Sequence, residues 1–367
     1  MKFCSAPRVV SPGTSQSLTA WSAVNGAQIS VVNDGVPVSS ALPNSLNLVV
    51  PGGKSGGVGV RNSGWWGIKV TSGSEYIASF FYKFPSASPF NGPATISLQT
   101  SSGQILGSAT VSLAGSQTSW KQVTAKFKPT TTPGSTDNYF AITVDGAAAS
   151  GQTIRFALFS LFPPTFKNRP NGMRQDIAQA LADMSPGVFR FPGGNNLVRS
   201  MTFLREFFID ANLHLELLKE GQTTDRRWQW RKTVGPLESR PGRQGDWSYV
   251  NTDGLGLYEY FLWCEDIGAE PIMGIWARYS LGGTSVPTNQ LQPYVQEAAD
   301  QINFAIGDPT KSAAAALRSQ LGHPAPFKLT HVEVGNEDFI GNAAGTYPGR
   351  WQAFLQALQS QFPTISQ

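Results

Sequence analysis

The sequence predicts a multidomain β plus α/β chain: an N-terminal antiparallel β-sandwich, then a parallel sheet wrapped by helices. Two observations carry this. Up to about residue 163 the chain is a series of short β-rich runs broken by Gly, Ser, Asn and Pro clusters, the pattern of a sandwich. After Pro163-Pro164, helical and strand-like segments alternate, which calls for parallel strands joined by crossover helices. A length of 367 residues has room for about two domains, expected at 1–163 and 164–367.

In the first domain β-branched and aromatic runs place strands at Ile29–Val32, Leu46–Val50, Gly67–Val70, Tyr76–Tyr82, Ala94–Leu98, Lys121–Phe127, Tyr139–Val144 and Ile154–Leu158. In the second, Ile177, Ala180, Leu181 and Met184 have helical spacing, and Pro186-Gly187 ends that helix. Val188–Phe191 is a strand running into the turn Pro192-Gly193-Gly194. A helix fits Asp253–Ile267, with Thr252 or Asp253 as its cap and Gly268 just past its end. A strand at Pro271–Trp276, a helix at Pro293–Ile306, a strand at Phe327–Val334 and a helix from Arg350 to Gln361 follow.

Composition narrows the function. With 38 Gly, 25 Pro and only 14% charged residues, the chain is β- and loop-rich rather than a helical bundle. Ten Trp suit carbohydrate binding, because the apolar C–H faces of sugar rings stack on indole; core filling accounts for them equally well. A net charge of +4 without a basic helix argues against nucleic acid. No apolar run approaches the roughly 18 residues of a membrane span. Cys4 and Cys264 cannot build a disulfide framework. His323 and His331 lack metal-ligand spacing, so no metal or cofactor is expected. The first residues, Met1–Pro7, lack the apolar core of a signal peptide.

The most informative stretch is Val332-Glu333-Val334-Gly335-Asn336-Glu337. A β-branched strand delivers an Asn-Glu pair at its C-terminal end, where catalytic side chains emerge in parallel α/β barrels. A glutamate there can act as acid and base toward a glycosidic bond, and the amide can hold a sugar hydroxyl. The bland alternative is a strand ending in a polar loop. Glu333 shares a strand face with Glu337 by period two; it either shapes the acidity of Glu337 or is simply buried and paired. Arg226, Arg227, Arg240 and Arg243, with Trp228, Trp230 and Trp247, line a long Gly/Pro-rich stretch that reads as a solvated loop braced on the barrel face rather than as catalysts.

Three stretches together resemble fungal-type α-L-arabinofuranosidases of glycoside hydrolase family 51. They are SLFPPTFKNRPNGMRQDIAQALADMSPGVFRFPGGNN, WQWRKTVGPLESRPGRQGDWSYVNTDGLGLYEYFLWCEDIGAEPIMGIW and HVEVGNEDF. The resemblance runs from about Leu18 to Phe362. It implies an incomplete (β/α)8 TIM barrel behind a sandwich similar to a family-4-type carbohydrate-binding module. It also implies retaining hydrolysis of terminal α-L-arabinofuranosyl residues in arabinan or arabinoxylan, an extracellular location, and Glu337 as general acid/base. Asn336 and Asn195 match the sugar-binding amides. Trp276, at the end of its strand, is a candidate pocket wall or a packing residue. The expected partner is an arabinose-containing plant polysaccharide. Non-catalytic sugar binding by the first domain, with Trp65, Trp66 and Trp120 as stacking candidates, and a related retaining xylosidase or glucanase remain alternatives.

The sequence departs from the family in three ways. The nucleophile carboxylate of a retaining mechanism is expected on a later strand, and no Asp or Glu follows Asp338. A first barrel strand is expected ahead of the sandwich and is not found. Finally, residues 198–219 interrupt the family's PGGNNLEGQT pattern with a Gly- and Pro-free insert. Its length keeps the frame and it begins at a Val codon, so a retained intron is expected. A genuine helical insertion, with Leu204, Phe207, Phe208 and Ala211 on one face, is the alternative. On these grounds the polypeptide as it stands is expected to hydrolyse nothing.

Overall fold

The computed structural model describes residues 2–3, 11–192, 227–244, 250–280, 284–336, 338 and 345–366. Two compact units result, Met1–Gln175 and Asp176–Gln367.

The first unit holds β1 (Lys2–Phe3), β2 (Trp21–Val24), β3 (Gln28–Asn33), β4 (Asn44–Val49), β5 (Gly57–Asn62), β6 (Tyr76–Lys83), β7 (Asn91–Thr100), β8 (Ile105–Ala114), β9 (Lys121–Phe127), β10 (Asn138–Asp145) and β11 (Thr153–Phe162). One antiparallel sheet has the order β3-β4-β11-β6-β9, with β1 beside β11, and the other β2-β5-β10-β7-β8. Alternation builds the core. Along β6, Tyr76, Ala78, Phe80 and Tyr82 are buried while Ile77 is exposed. They join Leu46, Leu48 and Phe156 of the same sheet, and Val60, Ile96, Phe140 and Ile142 of the other, in one apolar core.

Gly67–Val70, expected as a strand, is irregular. Ile68 and Val70 are buried as the alternation requires, but the Ile68 amide bonds to the Thr136 carbonyl (2.8 Å) rather than to a ladder partner. Alternation marks an extended, half-buried backbone; pairing is a separate condition. Conversely β2, β5 and β8 were not anticipated. The run Gly57-Val58-Gly59-Val60 alternates Val with Gly, a weak strand signal, yet it pairs on both sides; glycine is required at 59 because a Cβ there would lie 2.0 Å from the Ile142 carbonyl oxygen.

The second unit comprises α1 (Gln175–Asp183), β12 (Val188–Phe191), the ribbon β13 (Arg243–Gln244) and β14 (Val250–Asn251), α2 (Leu257–Ile267), β15 (Glu270–Ile275), the ribbon β16 (Tyr279–Ser280) and β17 (Thr284–Ser285), α3 (Gln292–Ile306), α4 (Ala313–Gln320), β18 (His331–Val334) and α5 (Tyr347–Gln361). Strands β12, β15 and β18 form a parallel sheet in that order. On one face Phe191, Met273, Ile275, Val332 and Val334 pack against Leu257 and Phe261 of α2, Val295 and Ile302 of α3, and Phe354 and Leu358 of α5.

Helix α2 ends at Gly268 in the left-handed conformation, as the sequence suggests. Its start differs from expectation. Neither Thr252 nor Asp253 caps it; the cap is Gly256, whose amide donates to Glu259 (2.8 Å). Arg240 holds that glutamate with two bonds, of 3.0 and 2.8 Å, so a long-range cation decides the boundary. The stripe on α1 also behaves unexpectedly: Ile177, Leu181 and Met184 are exposed, and Ala178 is the buried position. Helical spacing shows which residues share a face, not whether anything covers it.

Candidate active site

Period two puts a different set of residues on the opposite face of the parallel sheet. Phe189 aside, the odd residue in Val188-Phe189-Arg190-Phe191 is the charged one, and it projects away from the buried Phe191. Arg190 on β12 reaches Glu333 on β18, with β15 between them. Its Nη2 donates to Glu333 Oε1 (2.6 Å) and its Nε donates to Glu333 Oε2. The same Nη2 donates to Asn336 Oδ1 (2.7 Å). The middle-strand residue in register with Glu333 is Gly274, which adds no side chain at that end of the span.

The turn after β18 is built to hold Asn336. Gly335 has φ +84°, and a Cβ there would sit 2.3 Å from Asp338 Oδ2. That oxygen accepts the Asn336 backbone amide (2.9 Å), while Asp338 Oδ1 accepts from Arg350 of α5 (2.6 Å). Arg350 is fully buried and also donates to the Ala277 carbonyl. Burial pushes the Asp338 carboxyl above its ordinary range, opposed by the Arg350 contact and the Asn336 amide. With Oδ1 engaged by Arg190, the Asn336 Nδ2 is buried with no partner among the described residues. An unsatisfied buried donor beside a charged pair is a costly arrangement unless a ligand oxygen completes it.

Of the residues expected in the site, Asn336 is thus placed and oriented. Glu337 and Asn195 lie outside the described residues, as do Arg226, Trp247, Cys4 and the insert 198–219. Trp276 is buried. Its indole donates to the Tyr279 carbonyl (2.8 Å), and the guanidiniums of Arg227 and Arg278 lie 4.6 and 4.4 Å from its ring centre. Beside it, Trp228, Trp230 and Tyr294 help line a cavity with about 10 Å³ of room, enough for about one water and too small for a sugar. Burial lowers the Arg278 guanidinium to about 10. Glu333 proves to be paired, through Arg190. Arg227 and Arg240 do brace, but on helices and out of solvent rather than on a solvated loop: Arg227 bonds Glu297 of α3 (2.6 Å), and the buried Arg240 bonds Glu259 of α2.

Sequence reading passed over Arg190, Asp338 and Arg350. The available signal was an arginine flanked by phenylalanines on a short strand, a poor place for a charge that has no partner. Among the described residues no cluster of three or more His, Cys, Asp or Glu could hold a metal ion. No described helix is long and apolar enough to cross a membrane.

Comparisons with known proteins show what the chain is similar to. A family profile described as "Alpha-L-arabinofuranosidase 1 domain" matches residues 217–367. The chain is 40% identical to the "Probable alpha-L-arabinofuranosidase A" of Aspergillus flavus, over 96% of this chain and 52% of the relative. It is 38% identical to the alpha-L-arabinofuranosidase A of Aspergillus kawachii, with the same coverages. Among solved structures it superposes on the arabinose-bound MgGH51 α-L-arabinofuranosidase with a TM-score of 0.89 and 54% identity, covering 99% of this chain and 55% of that one. The chain therefore spans about half the length of the relatives it matches. In sequence and in structure it is a relative of the α-L-arabinofuranosidases of glycoside hydrolase family 51.

Proposed function

We propose that this chain carries the sugar-gripping and proton-donating part of a retaining α-L-arabinofuranosidase. Its substrates are terminal non-reducing α-L-arabinofuranosyl residues on arabinan or arabinoxylan, and it works outside the cell. The observation that carries this reading is Asn336 at the C-terminal end of a parallel strand: Arg190 holds its Oδ1, Asp338 holds its backbone amide, and its Nδ2 is buried with no partner among the described residues. In this reading residues 1–163 form a carbohydrate-binding-like sandwich, and 164–367 is part of a (β/α)8 barrel. The face bearing Arg190 and Glu333 becomes the barrel interior, whose mouth lies at the strand ends.

Asn336 donates to a substrate hydroxyl, and Asn195 supplies a second amide. Trp276 backs the pocket wall. Glu337, the next residue, gives its proton to the leaving glycosidic oxygen, then takes one from the water that releases the sugar. Retention also needs a second carboxylate about 5 Å from the first. We assign no residue of this chain to that role. Glu333 is unsuited to it, since both its oxygens are bonded to Arg190.

Titration of the 367-residue chain with L-arabinose tests the grip separately from the chemistry. Binding that Asn336→Ala abolishes is expected; equal affinity in both proteins overturns the assignment. For the proton transfer, Glu337→Gln in an active protein containing this chain should remove hydrolysis of a poor-leaving-group arabinoside by at least about 10²-fold. Undiminished turnover would exclude Glu337 as the donor.

A further inference from the structure

Trp65 and Trp66 are 71% and 87% exposed, although indoles of this size are normally covered. They are neighbours on the loop after β5, with ring centres 6.4 Å apart and planes at 88°. Two flat apolar faces are thus offered to solvent at right angles.

The loop that carries them is tightly braced. Gly64 donates its amide to the Asn62 side chain (2.8 Å), and Ser63 donates to the Ala20 carbonyl (3.0 Å). Beyond the indoles, the Ile68 amide bonds to Thr136, and Asn138 Nδ2 returns a bond to the Ile68 carbonyl (2.9 Å). Gly64 and Gly67, which bracket the pair, have φ +72° and +85°. A Cβ on Gly67 would lie 2.3 Å from the Thr136 carbonyl oxygen. The backbone is held on both sides while the two largest side chains point away from it. Such a display costs little further ordering when a ligand lands.

The chemistry of the patch selects its ligand. Residues 63–67 carry no charge, so the complementary surface is neutral. The aliphatic neighbours Ile68 and Val70 are buried, and no apolar helix or basic stripe accompanies the indoles, unlike a membrane-binding segment. A pyranose ring offers one flat C–H face with hydroxyls at its rim, which suits an indole face with its N–H at the edge. Successive rings of a twisted glycan present faces at changing angles, and the near-perpendicular indoles can meet two of them. We propose that Trp65 and Trp66 form a stacking site for the neutral pyranose backbone of a polysaccharide. The proposal rests on the carbohydrate-binding reading of residues 1–163 and does not depend on the role of Asn336.

The test is affinity electrophoresis of the whole 367-residue chain in soluble xylan, comparing it with the double variant Trp65→Ala/Trp66→Ala. Both side chains are exposed, so the variant should melt at an unchanged temperature and bind L-arabinose as before. Its affinity for xylan should fall about tenfold or more, and Trp65→Phe/Trp66→Phe should recover part of it. Equal retardation of the wild type and the alanine variant overturns the proposal. So does a wild type that ignores xylan yet floats with phosphatidylcholine–phosphatidylserine vesicles through the same two residues.

Discussion

Arg190 spans the middle strand of the parallel sheet to bond both carboxylate oxygens of Glu333, and the same guanidinium holds the Asn336 amide oxygen. A planar fork with several donors can do this; an ammonium cannot reproduce it. Arg190→Ala should therefore weaken L-arabinose binding about tenfold, because Asn336 loses its orientation. Arg190→Lys should fail to restore it. A titration in which Lys binds like wild type would reduce Arg190 to a mere positive charge.

Gly335→Ala should damage the same turn from the backbone side. At φ +84° a side chain is strained, and the new Cβ would collide with Asp338 Oδ2. A loss of about 1–3 kcal/mol in the stability of the second unit is expected in denaturant melts, accompanied by weaker sugar binding. An unchanged midpoint would show that the turn has freedom its contacts do not suggest.

In the first unit, Asp34 should control the acid limb of stability. Burial pushes its carboxyl up, but the Lys83 hydrogen bond, the Val36 amide and the charges of Lys83 and Arg155 outweigh this and leave it below 3.8. A carboxyl lowered on folding contributes stability that is present above its unfolded value and lost as pH falls through the folded one. The unit should thus weaken as pH drops below about 3.8, and Asp34→Asn should flatten that limb. At neutral pH Asp34→Ala should cost about 3–5 kcal/mol, since it strands the buried Lys83. Melts at pH 3 to 7 check both.

Arg318 offers a test in the second unit. It is fully buried and donates to the carbonyls of Phe304, Ala305, Gly307, His323 and Pro324, tying the end of α3 to the loop after α4. Arg318→Met keeps the bulk and leaves those acceptors unpaired, so a loss of at least about 3 kcal/mol is expected. A near-neutral effect in urea melts would mean that water reaches the carbonyls.

Much of the local structure was legible before the fold was known. Lys121–Phe127 was predicted residue for residue, because its alternation, length and flanking turns agree. The position of Asn336 just past β18 was legible because strand, glycine and polar residue follow one another in the chain. Arg190 was not. Its meaning depends on Glu333, which is 143 positions away and two strands across the sheet. The exposure of Ile177, Leu181 and Met184 was equally hidden, since spacing carries no information about a neighbour. The Gly256 cap was hidden for the same reason: Arg240 on a distant loop fixes Glu259.

By itself, then, the sequence determined most of the segments that extend or coil, and which family's signature they resemble. These depend on side-chain period, turn chemistry and short motifs, all written within a few residues. Tertiary structure decided which carboxylate is neutralised, which amide keeps a donor in reserve, and which indoles stay in water. Those outcomes depend on distances between residues far apart in the chain, and only the packed sheets set such distances.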